Sequence, residues 1–548
     1  MAEISPLRAA QLLDLPNELI LLILGRPDLP SEALLSLSML CRRLHNLALP
    51  LFFEIHGMED PAQNAKVTML DGGRDGVSAL QMSLFIPAIT KLYCSLPHYD
   101  TIPPLFSHIR RLRVLVARLA FVREVTILLD TPGSFCGASG DGVETWALEF
   151  EELLNAILKR GCTSLTLRYG RFFSEAYQLR PTPILARPVH AFRNAVRHIL
   201  PDSSSREPGD AWAVWQKTAD AGTTVWMELD AEGCSASTLT HFRVESSILL
   251  IPPCFSWFIS ALRHSLITNL EFSGVTLPHQ IWAAVLPPIA ALVPALTTLT
   301  LSNLYGISGT DILLFLAKLP RLTSLTVGYT EYSRHVQSSY PESGLIPKLL
   351  QLTHLHAPST FICHLLRKKS SLPNLETLCI TPRRLIMAIG LRGVRHIGRS
   401  VSDIAHRLEK HGLSPVLSLE IQRGCDSDAE MAEDLALVPG EELVRSLSAI
   451  TRLIVYNESS DLTARELETL ARWISRFPAL LHVSLRVRGT AAHRDAWATL
   501  DSARTISEQN PNVRSLELDG KLFDAGKINA LHQLGALARE TPSSILGI

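Results

Sequence analysis

One hydrophobic pattern recurs along most of this chain: an apolar residue, two positions, Leu or another aliphatic, one position, and a further apolar residue. Thr or Ser often stands inside the motif, and a polar residue or Gly follows it. It is read at Ile89-Leu92-Cys94, Val122-Val125-Ile127 and Cys162-Leu165-Leu167. It resumes at Ile267-Leu270-Phe272, Leu296-Leu299-Leu301, Leu322-Leu325-Val327, Leu352-Leu355-Ala357 and Leu375-Leu378-Ile380. The last copies are Val416-Leu419-Ile421, Ile450-Leu453-Val455, Leu480-Val483-Leu485 and Val513-Leu516-Leu518. Alternation with period two predicts a short strand with its apolar side chains turned inward. Most copies are about 23 to 41 positions apart, at or a little above the spacing of a leucine-rich repeat. A single unit of this kind cannot bury its own face, so neighbours must stack.

The spacers fit helices that return to the next strand. Residues 311–319 (DILLFLAKL) form an amphipathic stretch ended by Pro320. In 463–477, Leu467, Leu470, Ile474 and Phe477 share one helical face, and Thr463 with Glu466 forms a capping box. Pro320, Pro373, Pro478 and Pro511 each precede a strand, where a proline stops a helix. The Asn common after such strands is mostly missing; Asn303 and Asn457 are partial matches. The gap from Leu165 to Leu270 breaks the rhythm, and its proline-rich and polar run predicts an insertion or degenerate repeats. Residues 58–77 and 131–142, rich in Gly and Asp, read as loops.

The first 56 residues differ. Pro16 suits a first helical position and Glu18 the positive helix end, and Leu19, Ile20, Ile23 and Leu24 form an apolar stripe. Gly25 to Pro30 breaks the chain, Ser31 caps a second helix bearing Leu34, Leu35, Leu37 and Leu40, and Cys41 to Leu51 continues as a third. A core this small needs a partner for its remaining apolar surface. Leu15-Pro16, Glu18-Leu19, Ile23-Leu24, Leu34, Leu37, Cys41-Arg42-Arg43-Leu44 and Phe53-Glu54 resemble the F-box, in its fungal F-box-like form. Leu44 stands where many F-boxes place Trp. The resemblance covers about 45 residues and implies binding of a Skp1-type adaptor and, through it, a cullin-RING ubiquitin ligase. It implies adaptor contacts at Leu15, Pro16, Leu19, Ile23 and Leu34. Many proteins of that family carry leucine-rich repeats that hold the substrate.

Composition narrows the classes. The chain has 548 residues, 47% hydrophobic and 6% aromatic, and roughly one residue in six is Leu. That profile excludes a largely disordered chain. A net charge of −1 argues against a global grip on nucleic acid or an anionic membrane. Nine Cys without a CxxC pair indicate free thiols in a reducing compartment, cytoplasmic or nuclear. The apolar stretch 281–299 contains three prolines and reads as a buried repeat helix rather than a membrane span. The near-neutral total conceals two opposed runs. Ten Lys or Arg against three acids lie between Arg367 and Lys410, and eight acids against Arg423 lie between Glu420 and Glu442.

No catalytic constellation appears. Gly520-Lys521 is followed by Leu522 where a phosphate-binding loop needs Ser or Thr, and Gly137 to Gly140 lacks the spacing of a nucleophile elbow. His190, His198, Asp210, Asp230 and His241 show no recognisable spacing. His354, His356, Cys363 and His364 cluster in sequence, but ordinary repeat surface accounts for them, so neither a metal nor a cofactor is expected.

The expectation is an α/β chain: an F-box-like helical module at 10–56, a linker at 57–85, first repeats at 86–170, an insertion or degenerate repeats at 171–262, and a leucine-rich-repeat solenoid at 263–548. The implied function is non-enzymatic. The chain would be the substrate-recognition subunit of a Skp1-cullin-F-box ubiquitin ligase, its protein substrate unidentified. The alternative is a repeat scaffold acting outside a ligase. Candidate substrate contacts are Arg383, Arg384 and Arg392 in the basic run, and strand residues such as Thr300 and Thr326.

Overall fold

The protein is described by a computed structural model. It covers residues 15–69, 75–96, 102–129, 140–170, 177–179, 215–217, 237–251, 254–328, 330–331, 346–381, 392–423, 444–445, 447–457, 464–487, 506–518 and 521–524. The chain divides into two compact units, Met1–Leu296 and Thr297–Ile548.

The first unit opens with three helices, α1 (Asn17–Leu24), α2 (Ser31–Ser38) and α3 (Arg42–Ile55). Their core is Ile20, Leu24, Leu34, Leu35, Leu44, Ala48, Leu49, Phe52 and Phe53. Pro16 and Pro30 stand immediately before α1 and α2, where a missing N–H costs nothing. The segment expected as a linker is instead the start of the repeat array. It carries β1 (Asn64–Thr68), inside a stretch read as a loop, and α4 (Gly76–Met82). Ala65 and Val67 of β1 face Leu92 and Cys94 of the next strand. The three helices also close directly onto this segment. His45 Nδ1 lies 3.1 Å from the Ser38 carbonyl, and its Nε2 accepts from Leu84 N–H at 3.2 Å. Phe85 meets the rings of His45 and Phe53 edge-on. A ring protonated at Nδ1 satisfies both His45 bonds, so the module is seated rather than tethered.

The sheet of this unit continues through β2 (Ile89–Leu96), α5 (Ile102–Arg118), β3 (Val122–Leu129), α6 (Gly140–Lys159) and β4 (Ser164–Tyr169). Within the stretch 171–262, β5 (Tyr177–Leu179) and β6 (Trp215–Lys217) pair antiparallel. Further on, β7 (His241–Glu245) is a full repeat strand. It pairs parallel with β4 on one side and with β8 (Asn269–Ser273) on the other. Residues 237–251 of that stretch therefore belong to a repeat, with Phe242 and Val244 in the places usually held by Leu. Helices Cys254–Arg263 and His279–Leu292 complete this part; the latter is the apolar stretch that contains Pro287 and Pro288. Among the described residues, no helix is long and apolar enough to cross a membrane.

The second unit runs β9 (Thr298–Ser302), β10 (Leu304–Tyr305), β11 (Ser324–Val327), β12 (Thr330–Glu331), β13 (His354–Pro358), β14 (Thr377–Thr381), β15 (Val416–Arg423), β16 (Arg452–Asn457), β17 (His482–Val487), β18 (Ser515–Leu518) and β19 (Lys521–Asp524). The main-sheet strands pair parallel in chain order, except that β19 turns back antiparallel on β18. Leu299, Leu325, Leu355, Leu378 and Leu417 form one continuous buried row across five strands. Helix Gly309–Leu316 begins with a capping box of Ser308 and Asp311, two residues before the start expected from sequence. Helix Ala464–Ile474 lies where expected, while its predicted Thr463 cap falls outside the described residues.

The recurrent Thr has a physical role. Thr240 donates its hydroxyl to the carbonyl of Thr163 at 3.2 Å, and Thr268 to that of Thr240 at 3.3 Å. In the second unit Thr323 donates to Thr297 at 3.0 Å and Thr353 to Thr323 at 3.1 Å. Each carbonyl also accepts two backbone N–H groups from the following repeat, as Thr297 does from Thr323 and Ser324. This ladder pins the entry of each strand and so sets register. At strand exits the chain turns through left-handed backbone, at Gly274 (φ 67°) and at Asn303 (φ 52°). Asn tolerates this region better than other non-glycine residues, which accounts for its place after β9.

Candidate functional site

Between the inward leucines, each strand presents alternate residues on its outer face. In the first unit this face is ionic. Lys91 meets Glu124 at 3.0 Å, Arg168 meets Glu245 at 2.5 Å, Arg243 also reaches Glu245, and Arg243 lies 3.4 Å from Glu271. Burial raises the Glu271 carboxyl above its ordinary value; Arg243 opposes this shift and Glu245 adds to it.

The same face of the second unit carries other chemistry. Thr300 and Thr326 sit half-buried in one row, which continues into His356 and Cys379. Strand β15 is longer than the earlier strands of this unit and couples both rows of leucines: Leu417 faces Leu378, while Leu419 faces Ile380 on one side and Leu453 on the other. Glu420 follows Leu419 and points from the outer face toward the preceding repeats. As a result, donor atoms of His356, Cys379 and Glu420 all lie within 4.8 Å of one another. His356 Nε2 is 3.1 Å from Glu420 Oε2, shielded from solvent and without the alignment of a hydrogen bond. Burial lowers the His356 imidazolium, but its contacts with Cys379 and Glu420 outweigh this and raise it to about 10. One strand further, Arg486 donates to Tyr456 Oη at 3.0 Å, stacks over its ring and approaches Glu517.

Sequence proximity had grouped His356 with His354, Cys363 and His364. Structurally these part: His354 is exposed on β13, while Cys363 and His364 lie on helix Ser359–Leu365. Cys379 and Glu420 were absent from that group because they come from other repeats. Of the basic-run candidates, Arg383 and Arg384 fall outside the described residues, and Arg392 opens helix Arg392–His411 with its side chain undescribed. The described part of that run belongs to the helical layer. Burial lowers His411, and Lys369, Lys410 and Arg407 lower it further; burial and Arg367 do the same to His364. Lys410 and His411 end their helix, where cations complement the dipole.

On the N-terminal module, Leu15 is half-buried and Pro16 exposed. Leu19 is 46% exposed, Ile23 41% and Leu22 71%, and Leu40 at the end of the α2 region is 71% exposed. Leu34 is wholly buried, so it supports the module's interior and has no surface of its own to offer a partner. Arg43 fixes α1 from below, through Asn17 Oδ1 at 2.9 Å and the Leu15 carbonyl at 2.6 Å.

These features define a class: an array of parallel strand units with return helices, carrying a seated three-helix module at its N-terminal end. No family model and no curated protein match the chain. Among solved structures it is similar to one described as "Crystal structure of TLR13-ssRNA13 complex", at 13% identity and a TM-score of 0.23. The match covers 80% of this chain and 50% of that one, so the chain spans about half that structure's length. A likeness of this extent carries no weight here; the architecture rests on the strand register.

Proposed function

We propose that this chain is a substrate receptor of a Skp1-cullin-F-box ubiquitin ligase, acting in the cytoplasm or nucleus. The module at its N-terminal end binds the Skp1-type adaptor, and the outer strand face of the repeats holds a protein substrate. The observation that carries this reading is the exposed apolar side of α1. Leu19, Leu22 and Ile23 stand in solvent although Arg43 and the helix core hold α1 in place. A fixed helix that is apolar on both its buried and its outer side calls for a partner. The F-box-like order of residues gives the chemistry of that partner. Such a chain performs no bond chemistry; it raises the effective concentration of substrate near the ligase.

The test is co-purification of the chain with a Skp1-type adaptor, beside Leu19→Glu and Ile23→Glu variants. Both side chains are exposed, so the variants keep the fold, and each lost anchor costs about 1 kcal/mol or more of binding. Capture by the wild-type chain and loss in the variants is the expected result. An adaptor that ignores the wild-type chain would leave the second reading, a repeat-based binding scaffold outside any ligase, for which the polar strand faces alone are the motive.

A further inference from the structure

The outer face of the second unit gathers an imidazole, a thiol and a carboxylate from three successive strands, β13, β14 and β15. We propose that His356, Cys379 and Glu420 bind a zinc-class divalent cation, with water in the fourth position.

Three observations carry this. The first is distance. A tetrahedral zinc ion about 2.0–2.3 Å from nitrogen, sulfur and oxygen donors spaces them about 3.3–3.6 Å apart. Here Nε2 and Oε2 are 3.1 Å apart and all three donors lie within 4.8 Å, so rotamer adjustment alone closes the set. The second is donor type. Thiolate with imidazole selects zinc and similar borderline cations over magnesium or calcium, which prefer all-oxygen shells. The third is unmet polarity. Thr381 Oγ1, two positions from Cys379 on the same strand face, is enclosed without a hydrogen-bond partner among the described residues. A cation displaces the proton that His356 holds against Glu420, and water bound to it is a donor of the kind the Thr381 hydroxyl lacks.

The backbone is suited to the task. His356 and Cys379 are direct register partners, and buried apolar residues fix the strand on either side of each donor: Leu355 and Ala357, Leu378 and Ile380, Leu419 and Ile421. Donors mounted on rigid strands keep their spacing without a closing loop. Three protein ligands leave one position open, as in exchangeable rather than purely structural zinc sites. The inference stands apart from adaptor binding, since the module and the cluster share no residue.

Cobalt(II) is the probe, because its spectrum reports both thiolate ligation and tetrahedral geometry. Full-length chain, stripped with a chelator, is titrated with cobalt and then with zinc. The expected result is one equivalent of cobalt, a thiolate-to-cobalt charge-transfer band, d–d absorption of tetrahedral strength, and loss of both on adding zinc. Cys379→Ser abolishes the charge-transfer band. Glu420→Gln keeps it but weakens binding by at least the roughly 10–100-fold that losing an outer-shell partner costs. Cys363→Ser, on the neighbouring helix, leaves the titration unchanged. Circular dichroism on each variant separates loss of ligand from loss of fold, and Glu420→Gln stands as the second reporter should Cys379→Ser fail to fold. A wild-type chain without the band, a band that survives Cys379→Ser, or one removed by Cys363→Ser would overturn the proposal.

Discussion

The two units use one strand pattern to present two different faces. In the first, charges at neighbouring outer positions are opposite in sign and close on one another: Arg168, Glu245, Arg243 and Glu271 form a single network across three strands. In the second, from β9 to β15, the same face holds hydroxyls, an imidazole, a thiol and one carboxylate, and the Arg486–Glu517 pair follows only on the later strands. The first face has largely spent its hydrogen-bonding capacity internally, and a ligand would have to displace those pairs. The second gathers three groups of ligating type about a common point. The same leucine framework therefore supports one surface that is electrostatically closed and another that is chemically open.

Four substitutions probe that contrast, in falling order of effect. Leu270→Ala in the first unit and Leu355→Ala in the second remove equivalent buried side chains. Each should lower unfolding free energy by about 2–5 kcal/mol in denaturant titrations. A much smaller loss in one unit would mean that the two frameworks are not equivalent after all. Next, Glu245→Gln takes the shared acceptor from Arg168 and Arg243 and should cost about 1–2 kcal/mol, reduced by raised salt. Glu271→Gln should behave in the opposite way. Its folded carboxyl is raised, so its favourable contribution is complete below the ordinary carboxylate range and is lost as pH rises through the raised value. Near neutral pH the ionised group is a mild burden. Its replacement should then leave stability within about 0.5 kcal/mol of wild type, and slightly above it, because the site is half exposed and screened. A clear loss at neutral pH would place Glu271 among the essential pairs of the network.

Much of this fold can be read from residue order. Every leucine-based triplet marks a strand, because period two and a buried aliphatic leave little choice. Two parallel strands of the main sheet escape such reading, and both replace leucine with residues of another size: Ala65 and Val67 in β1, Phe242 and Val244 in β7. For β7 a signal was present. Leu239-Thr240 precedes Phe242 as Leu322-Thr323 precedes Leu325, and that threonine forms its ladder bond. The three-helix module was legible from its prolines and apolar stripes, but the cap expected at Ser31 is absent, since Ser31 lies inside α2 behind Pro30, and the seating depends on His45 and Phe85 meeting across the fold. The His356 cluster was hidden for a different reason. Its members come from three repeats and share no sequence neighbourhood; only parallel register and the length of β15 bring them together.

The threonine ladder fixes where a strand begins and leaves the return path free. Separations between successive rungs run from 26 residues in the second unit to 77 in the first, with strand order unchanged. Within each unit the arrangement resembles a bound book, in which pages of unequal width share a spine. Over evolutionary time, insertions on the open side can be gained or lost one repeat at a time, each inherited without renegotiating the binding edge. A protein engineer would find the same freedom there: foreign segments grafted between rungs should alter what the array displays while its pagination stays intact.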